Sequence, residues 1–156
     1  MNVKLHVLFL TLALLSAQHV FAADLSPCLA RAESKGHRLD REDAVKACFE
    51  KNKSLIKHED CFKQARANRS AQSSESLKED LKAICFYETS GYDGINDCLL
   101  QSRRFRSSNE RDEAVFYCYQ IFQDKLNSKK CLRVAENLIF AAKREHLTQH
   151  CIEAGD

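Results

Sequence analysis

Eight cysteines are the residues in this sequence whose type and spacing indicate chemistry most clearly, and that chemistry is disulfide formation. Successive cysteines are separated by 20, 13, 24, 13, 20, 13 and 20 residues. An even number of regularly spaced cysteines is typical of a disulfide framework in an exported chain, and no Cys-x-x-Cys redox pair occurs in the sequence. We therefore expect structural disulfides among Cys28, Cys48, Cys61, Cys85, Cys98, Cys118, Cys131 and Cys151.

A pair of histidines near the C-terminus offers a second kind of chemistry. His146 and His150 lie four residues apart, so they share one face of a predicted helix, with Glu145 beside them. Two imidazoles at this spacing can bind a metal ion, and a small secreted enzyme, toxin or effector would have its site here. The glutamate lies outside the pair, however, so the His-Glu-x-x-His pattern of metallohydrolases is absent. We expect surface histidines, with no catalytic residue, no bound metal and no cofactor.

Clustered arginines indicate a third possibility, which is the binding of an anionic partner. Phe105 lies among the four arginines of this cluster, which are Arg103, Arg104, Arg106 and Arg111. A basic edge of this kind can bind the phosphates of lipid A, an anionic lipid or an acidic protein. Basic residues at the end of one helix and acidic residues at the start of the next also complement the helix dipoles, so a purely structural role is the alternative.

The segment 114–122 is apolar on nearly every side of its predicted helix. A helix that packs on two sides has this pattern, so we expect the segment to lie in the core. The alternative is a groove for a partner, in which Tyr117, Tyr119 and Phe122 are exposed anchors.

The alternating cysteine spacing defines four sequence repeats. Their starting cysteines are 33, 37 and 33 residues apart, and the second repeat owes its extra four residues to a serine-rich segment at 69–74. A small residue follows the first cysteine of every repeat by four positions, which allows a second backbone to approach closely. These small residues are Ala32, Ala65, Ser102 and Ala135.

Each repeat is predicted to be a hairpin of two antiparallel helices. The sequence contains one proline and four glycines, too few for the turn-rich pattern of a β protein. Asp40 is a predicted N-cap of the second helix in the first repeat, and Ser73 or Ser74 has that role in the second repeat.

Antiparallel pairing of the two helices predicts how the cysteines connect. The start of the first helix lies beside the end of the second, so the two cysteines of one repeat should bond. The predicted pairs are 28 with 48, 61 with 85, 98 with 118, and 131 with 151. The alternative joins 48 with 61, 85 with 98, and 118 with 131, and it leaves Cys28 and Cys151 unpaired.

These patterns predict an all-α fold of four tandem disulfide-closed αα-hairpins, stacked as a short right-handed solenoid. The unit length and the predicted export are similar to those of cysteine-rich Sel1-like and tetratricopeptide arrays. This resemblance implies a similar architecture and no particular function. The glycine, tryptophan and proline positions characteristic of those arrays are missing here. A compact bundle of eight helices is the alternative arrangement.

The N-terminus has the pattern of a cleaved signal peptide. Lys4 precedes an apolar run at 5–16, and Val20-Phe21-Ala22 matches a small-residue cleavage site. The apolar run is too short to span a bilayer, and no later stretch is longer. We therefore predict a signal peptide at 1–22 and a single secreted or periplasmic domain at 23–156. Its predicted repeat units are about 27–53, 54–89, 93–126 and 128–154.

Charge and composition favour a binding protein. Removal of Lys4 with the signal peptide leaves 23 basic and 22 acidic residues. A net charge this close to zero does not favour binding to nucleic acid, so we expect no nucleic-acid partner. The sequence therefore predicts a scaffold that binds a protein or an anionic envelope component. The alternatives are the small enzyme or toxin with a site near His146 and His150, and a purely structural envelope protein.

Overall fold

The described part of the chain forms helices and no strands, which confirms the predicted all-α class. The computed structural model describes residues 24–89 and 91–154. The predicted signal peptide at 1–22 lies outside these residues. Nine α-helices occur in the described ranges. They are α1 (Ser26–Glu33), α2 (Arg38–Asn52), α3 (His58–Ala67), α4 (Arg69–Ser73), α5 (Glu75–Ala83), α6 (Ile95–Ser102), α7 (Ser108–Phe122), α8 (Ser128–Ala135) and α9 (Ala141–Glu153).

Two short turns extend these helices. A π-helical turn at Ile84–Glu88 continues α5, and a 3₁₀ turn at Gln123–Lys125 continues α7. The first hairpin is α1 with α2, and the second is α3 to α5 with the π-helical turn. The third is α6 with α7, and the fourth is α8 with α9.

Each hairpin is closed by its own disulfide. The Cα atoms of the bonded cysteines lie between 5.4 and 5.9 Å apart. The pairing predicted from antiparallel helices is therefore confirmed, and the alternative pairing across the 13-residue spacings is wrong. The confirmed pairs are Cys28–Cys48, Cys61–Cys85, Cys98–Cys118 and Cys131–Cys151.

The predicted helix starts are correct in one repeat and wrong in another. The side chain of Ser74 accepts a hydrogen bond from the backbone N–H of Leu77 and caps α5. Asp40 is not a cap, because α2 begins two residues earlier, after His37. Arg41 donates its backbone N–H to the carbonyl of His37, so Asp40 lies inside the first turn. A carboxylate there still complements the helix dipole.

The extra segment of the second repeat forms the short helix α4. The side chain of Asn68 accepts a hydrogen bond from the N–H of Ala71 at 2.9 Å and caps this helix. Glu33 of the first hairpin accepts hydrogen bonds from Asn68 Nδ2 at 2.8 Å and from Ser70 Oγ at 2.9 Å. The extra residues therefore join the first hairpin to the second.

Helices of consecutive hairpins pack against one another. Helix α2 packs on α4 and α5, and α7 packs on α8. Between the second and third hairpins, Phe86 packs against the rings of Phe105 and Tyr117, at centroid distances of 5.1 and 5.7 Å. A superhelical arrangement of the four hairpins stays a prediction.

Within residues 24–89 and 91–154, none of the helices has the length and apolar character needed to cross a bilayer.

Candidate anion-binding cleft

A cleft of about 460 Å³ lies where the second hairpin meets the third. Its floor contains Phe62, Ala65 and Ala71, and Gln72 completes the wall. Its charged lining residues are Arg66, Lys78, Glu79, Lys82, Arg104 and Arg106. We call this cavity, with its ten lining residues, the basic cleft.

Four segments of the chain position the side chains of the basic cleft, and one of them, the short helix α4, supplies Ala71 and Gln72. Helix α3 supplies Phe62 and Arg66, which lie one turn apart. Helix α5 supplies Lys78 and Lys82, again one turn apart. Arg104 follows the end of α6. Because Phe62 directly follows a disulfide-bonded cysteine, the Cys61–Cys85 bond holds the floor of the cleft in place.

Arg104 is held by a line of polar side chains that runs away from the cleft. Its guanidinium lies 4.5 Å from the centroid of the Phe62 ring, a cation–π geometry. Arg104 Nε donates to Gln101 Oε1, and Gln101 Nε2 donates to Asp97 Oδ1 at 3.3 Å. Asp97 Oδ2 in turn lies 3.2 Å from Nε2 of the buried His58. These contacts orient Arg104 before any ligand binds.

Positive charges outnumber negative charges in the basic cleft. Lys82 pairs with Glu79, and Lys78 Nζ lies 2.9 Å from Glu75 Oε2. Lys78 holds the pKa of the Glu75 carboxyl below its usual value, through a hydrogen bond and charge attraction. In the described part of the chain, Arg66 has no carboxylate within 4.0 Å. Positive charge therefore remains available at the cleft.

A second hollow adjoins the basic cleft. It has a volume of about 590 Å³, and it shares Phe62, Arg66 and Arg104 with the cleft. Glu59 and Asp60 also line it, so its charge is mixed. The two guanidinium groups and the aromatic ring thus form a ridge between the two cavities.

The structure separates the four arginines that the sequence groups together. Arg104 and Arg106 line the basic cleft, whereas Arg103 is exposed and donates to Asn137 Oδ1 of the fourth hairpin at 3.5 Å. Arg111 is half-buried, and its Nε lacks a hydrogen-bond partner among the described residues. The interleaved Phe105 is 5% exposed and lies in the core. Arg103 and Arg111 are therefore not lining residues of the cleft.

Sequence reasoning did not name as binding candidates three of the five cations of the basic cleft, which are Arg66, Lys78 and Lys82. They belong to the second hairpin, and the arginine cluster belongs to the third. The four-residue spacing of Lys78 and Lys82 is visible in the sequence and places both on one face of α5. Nothing in that spacing shows that the face meets Arg104 and Arg106.

Tyr117 and Tyr119, the predicted anchors of a partner groove, are both half-buried. The Tyr117 hydroxyl donates to the carbonyl of Tyr87 at 3.0 Å, so it joins the second and third hairpins. Burial raises the pKa of Tyr87 to about 12 and also raises the pKa of Tyr117. The Tyr119 ring packs edge-on against His150, with centroids 5.9 Å apart.

The histidine pair that would serve the alternative enzyme or toxin lies on the surface of α9. Glu145, His146 and His150 are all exposed. Among the residues that the structure describes, no group of three or more histidine, cysteine, aspartate or glutamate side chains has the arrangement of a metal site. The two histidines therefore have no third ligand in that part of the chain.

Fold and cleft together define the class of this protein: an all-α chain of four helical hairpins, each closed by a disulfide, with a cationic cavity between two of them. Comparison of the chain with protein families, with curated proteins and with solved structures finds no match.

Proposed function

We propose that this protein is an exported, non-catalytic binding scaffold that holds an anionic partner in the basic cleft. The observation that carries the proposal is the excess of positive charge around an apolar floor. Five cationic side chains line the cleft, against the carboxylates of Glu79 in its wall and Glu75 beside it. The partner is an acidic protein or an anionic component of the cell envelope.

The side chains in the basic cleft suit binding. Guanidinium and ammonium groups attract anions, and the half-buried Ala65 offers apolar surface beside the buried Phe62 and Ala71. The Glu79 carboxylate forms an ion pair with Lys82, so its negative charge is partly neutralised and repels an anionic ligand less. A ligand would therefore gain both charge attraction and apolar burial.

Export is part of the same proposal. Four disulfides are typical of proteins that fold in an oxidising compartment. The predicted signal peptide at 1–22 would direct the chain to such a compartment. We therefore propose that binding takes place in the periplasm or outside the cell.

The test compares two variants of the oxidised protein that lose equal charge. The cleft variant carries Arg66→Gln, Lys78→Gln and Arg106→Gln, all at exposed side chains. The control variant carries Arg31→Gln, Lys51→Gln and Lys129→Gln, which are exposed and lie outside the basic cleft. Binding is measured by surface plasmon resonance on phosphatidylcholine vesicles with and without an anionic phospholipid, and on immobilised polyglutamate.

We expect the native protein to bind at least one anionic surface, and more weakly at high salt because ions screen exposed charges. The cleft variant should bind roughly tenfold more weakly, equivalent to about 1.4 kcal/mol, and the control variant should bind like the native protein. Equal binding by the two variants would contradict the proposal.

A further inference from the structure

We propose that the ligand of the basic cleft is a phosphate monoester carried on an apolar body. Its phosphate would lie against Arg66 and Arg104, and its apolar part against the half-buried Ala65 and the other apolar atoms that line the cleft. This inference depends on the proposed function, because it specifies the chemistry of the partner in the same cavity.

Arg66 and Arg104 suit the binding of a phosphate group. Both line the basic cleft and the adjoining hollow, and neither has a carboxylate within 4.0 Å among the residues described. A guanidinium group presents paired N–H donors whose spacing matches two oxygens of a phosphate. Arg104 is also fixed by Phe62 and Gln101, so little side-chain freedom would be lost on binding.

The net charge of the cleft favours a dianion. The five cations that line the cleft exceed the carboxylates of Glu79 and Glu75 by three charges, and the excess is two when Glu59, Asp60 and Lys63 of the adjoining hollow are counted. A phosphate monoester carries roughly −1.5 to −2 charges at neutral pH, whereas a carboxylate carries one. The monoester therefore neutralises more of this excess from a single position.

The apolar atoms and the size of the basic cleft favour a ligand that carries an apolar group beside its phosphate. Inorganic phosphate would leave the apolar part of the lining, such as the half-buried Ala65, in contact with water. A cavity of about 460 Å³ lies in the size range of small-molecule sites. An acyl or aryl group attached to the phosphate would cover this part of the lining and add hydrophobic free energy.

Glu75 is an internal competitor for the ligand. Its carboxylate lies 2.9 Å from Lys78 Nζ and 3.9 Å from Arg106 Nη1, so it occupies two of the cations that line the cleft. Its side chain is 64% exposed and is free to move away. Removal of this charge should therefore strengthen phosphate binding.

Isothermal titration calorimetry on the full oxidised protein tests the inference with three soluble probes: hexyl phosphate, hexanoate and inorganic phosphate. We expect hexyl phosphate to bind roughly tenfold more tightly than either of the others, because only it combines a dianion with an apolar chain. Arg66→Gln should lower the affinity for hexyl phosphate by about tenfold, and Glu75→Gln should raise this affinity by about twofold.

Each variant has a control with the same change of charge. Arg31→Gln matches Arg66→Gln, and Glu50→Gln matches Glu75→Gln, since both control side chains are exposed and lie outside the basic cleft. Arg66 is itself exposed, so its replacement should leave the fold intact. Circular dichroism checks the fold of every variant.

Two results would overturn the inference: hexyl phosphate that binds no better than hexanoate, or an Arg66→Gln variant that binds like Arg31→Gln. If polyglutamate binding depends on the cleft cations while hexyl phosphate does not bind, the proposed function stands and this inference fails. If no anion binds, both fail. Vesicles that contain phosphatidic acid distinguish a lipid headgroup in a membrane from a free phosphate monoester as the ligand. They compete with hexyl phosphate only when the cleft accepts a membrane headgroup.

Discussion

The residue after the second cysteine of each hairpin has a large apolar or aromatic side chain, and its burial changes along the chain. Phe49 and Phe86 are fully buried, Tyr119 is half-buried and Ile152 is 50% exposed. The first three positions are followed by another hairpin, whereas no later described hairpin covers Ile152. One repeat position therefore contributes very different amounts of hydrophobic free energy in different hairpins.

Alanine substitutions at this position should have unequal effects on stability. Phe49→Ala creates a cavity in the core and should lower the free energy of unfolding by about 3–5 kcal/mol. Ile152→Ala removes a side chain already half in water and should cost roughly 1 kcal/mol or less. Guanidinium chloride unfolding with the disulfides intact measures both values. A loss at Ile152 as large as that at Phe49 would show that another surface covers Ile152.

At the scale of elements, one helix is capped by a carboxylate from the preceding hairpin. Asp112 of α7 is fully buried and accepts hydrogen bonds from the backbone N–H groups of Ile139 at 2.7 Å and Phe140 at 3.1 Å. These residues immediately precede α9, whose N-cap residue, Phe140, has no side-chain acceptor. Asp112 therefore fixes the start of α9 as well as the packing of the third hairpin on the fourth.

Replacement of Asp112 should be costly for that reason. Asp112→Ala leaves two backbone donors without their acceptor and should lower the free energy of unfolding by about 1–3 kcal/mol. Glu145→Ala is the matched control, because Glu145 has the same repeat position in the fourth hairpin but is exposed, so it should change stability by less than about 0.5 kcal/mol. Urea unfolding followed by circular dichroism measures both. Equal losses would contradict a capping role for Asp112.

Over the whole molecule, covalent and non-covalent connections have separate roles. Every disulfide joins the two ends of one hairpin. Consecutive hairpins are joined by other contacts, including the ion pair of Lys46 with Asp80 at 2.9 Å and the Tyr117–Tyr87 hydrogen bond. The disulfides therefore stabilise individual hairpins, and side-chain packing determines how the hairpins lie against one another.

Two disulfides should contribute about equally to stability. Cys98–Cys118 and Cys131–Cys151 both span 20 residues, so the chain-entropy estimate gives each of them about 3 kcal/mol. The double alanine variants of the two pairs test this by chemical unfolding without reductant. If both variants lose less than roughly 1 kcal/mol in free energy of unfolding, the chain-entropy explanation of the disulfide contribution is contradicted. Mass mapping of the unreduced protein checks the four pairs themselves.

The sequence alone predicted the hairpins and favoured one disulfide pairing. Cysteine spacing, helix-forming composition and the position of the small residues are local properties, and antiparallel helices favour a bond within each repeat, although the pairing across the 13-residue spacings stayed open until the structure showed the four bonds. Helix starts were less predictable, as Asp40 shows, because several polar residues near a helix terminus can satisfy the same backbone groups.

Only the tertiary structure decided which charged residues share a cavity. Arg66 and Lys78 come from the second hairpin and Arg104 and Arg106 from the third, and they meet because those two hairpins pack together. The rotation of one hairpin on the next depends on side chains far apart in the sequence, such as Phe86 and Phe105. No periodicity within one repeat contains that information, which is why the sequence grouped four neighbouring arginines while the fold selected two of them.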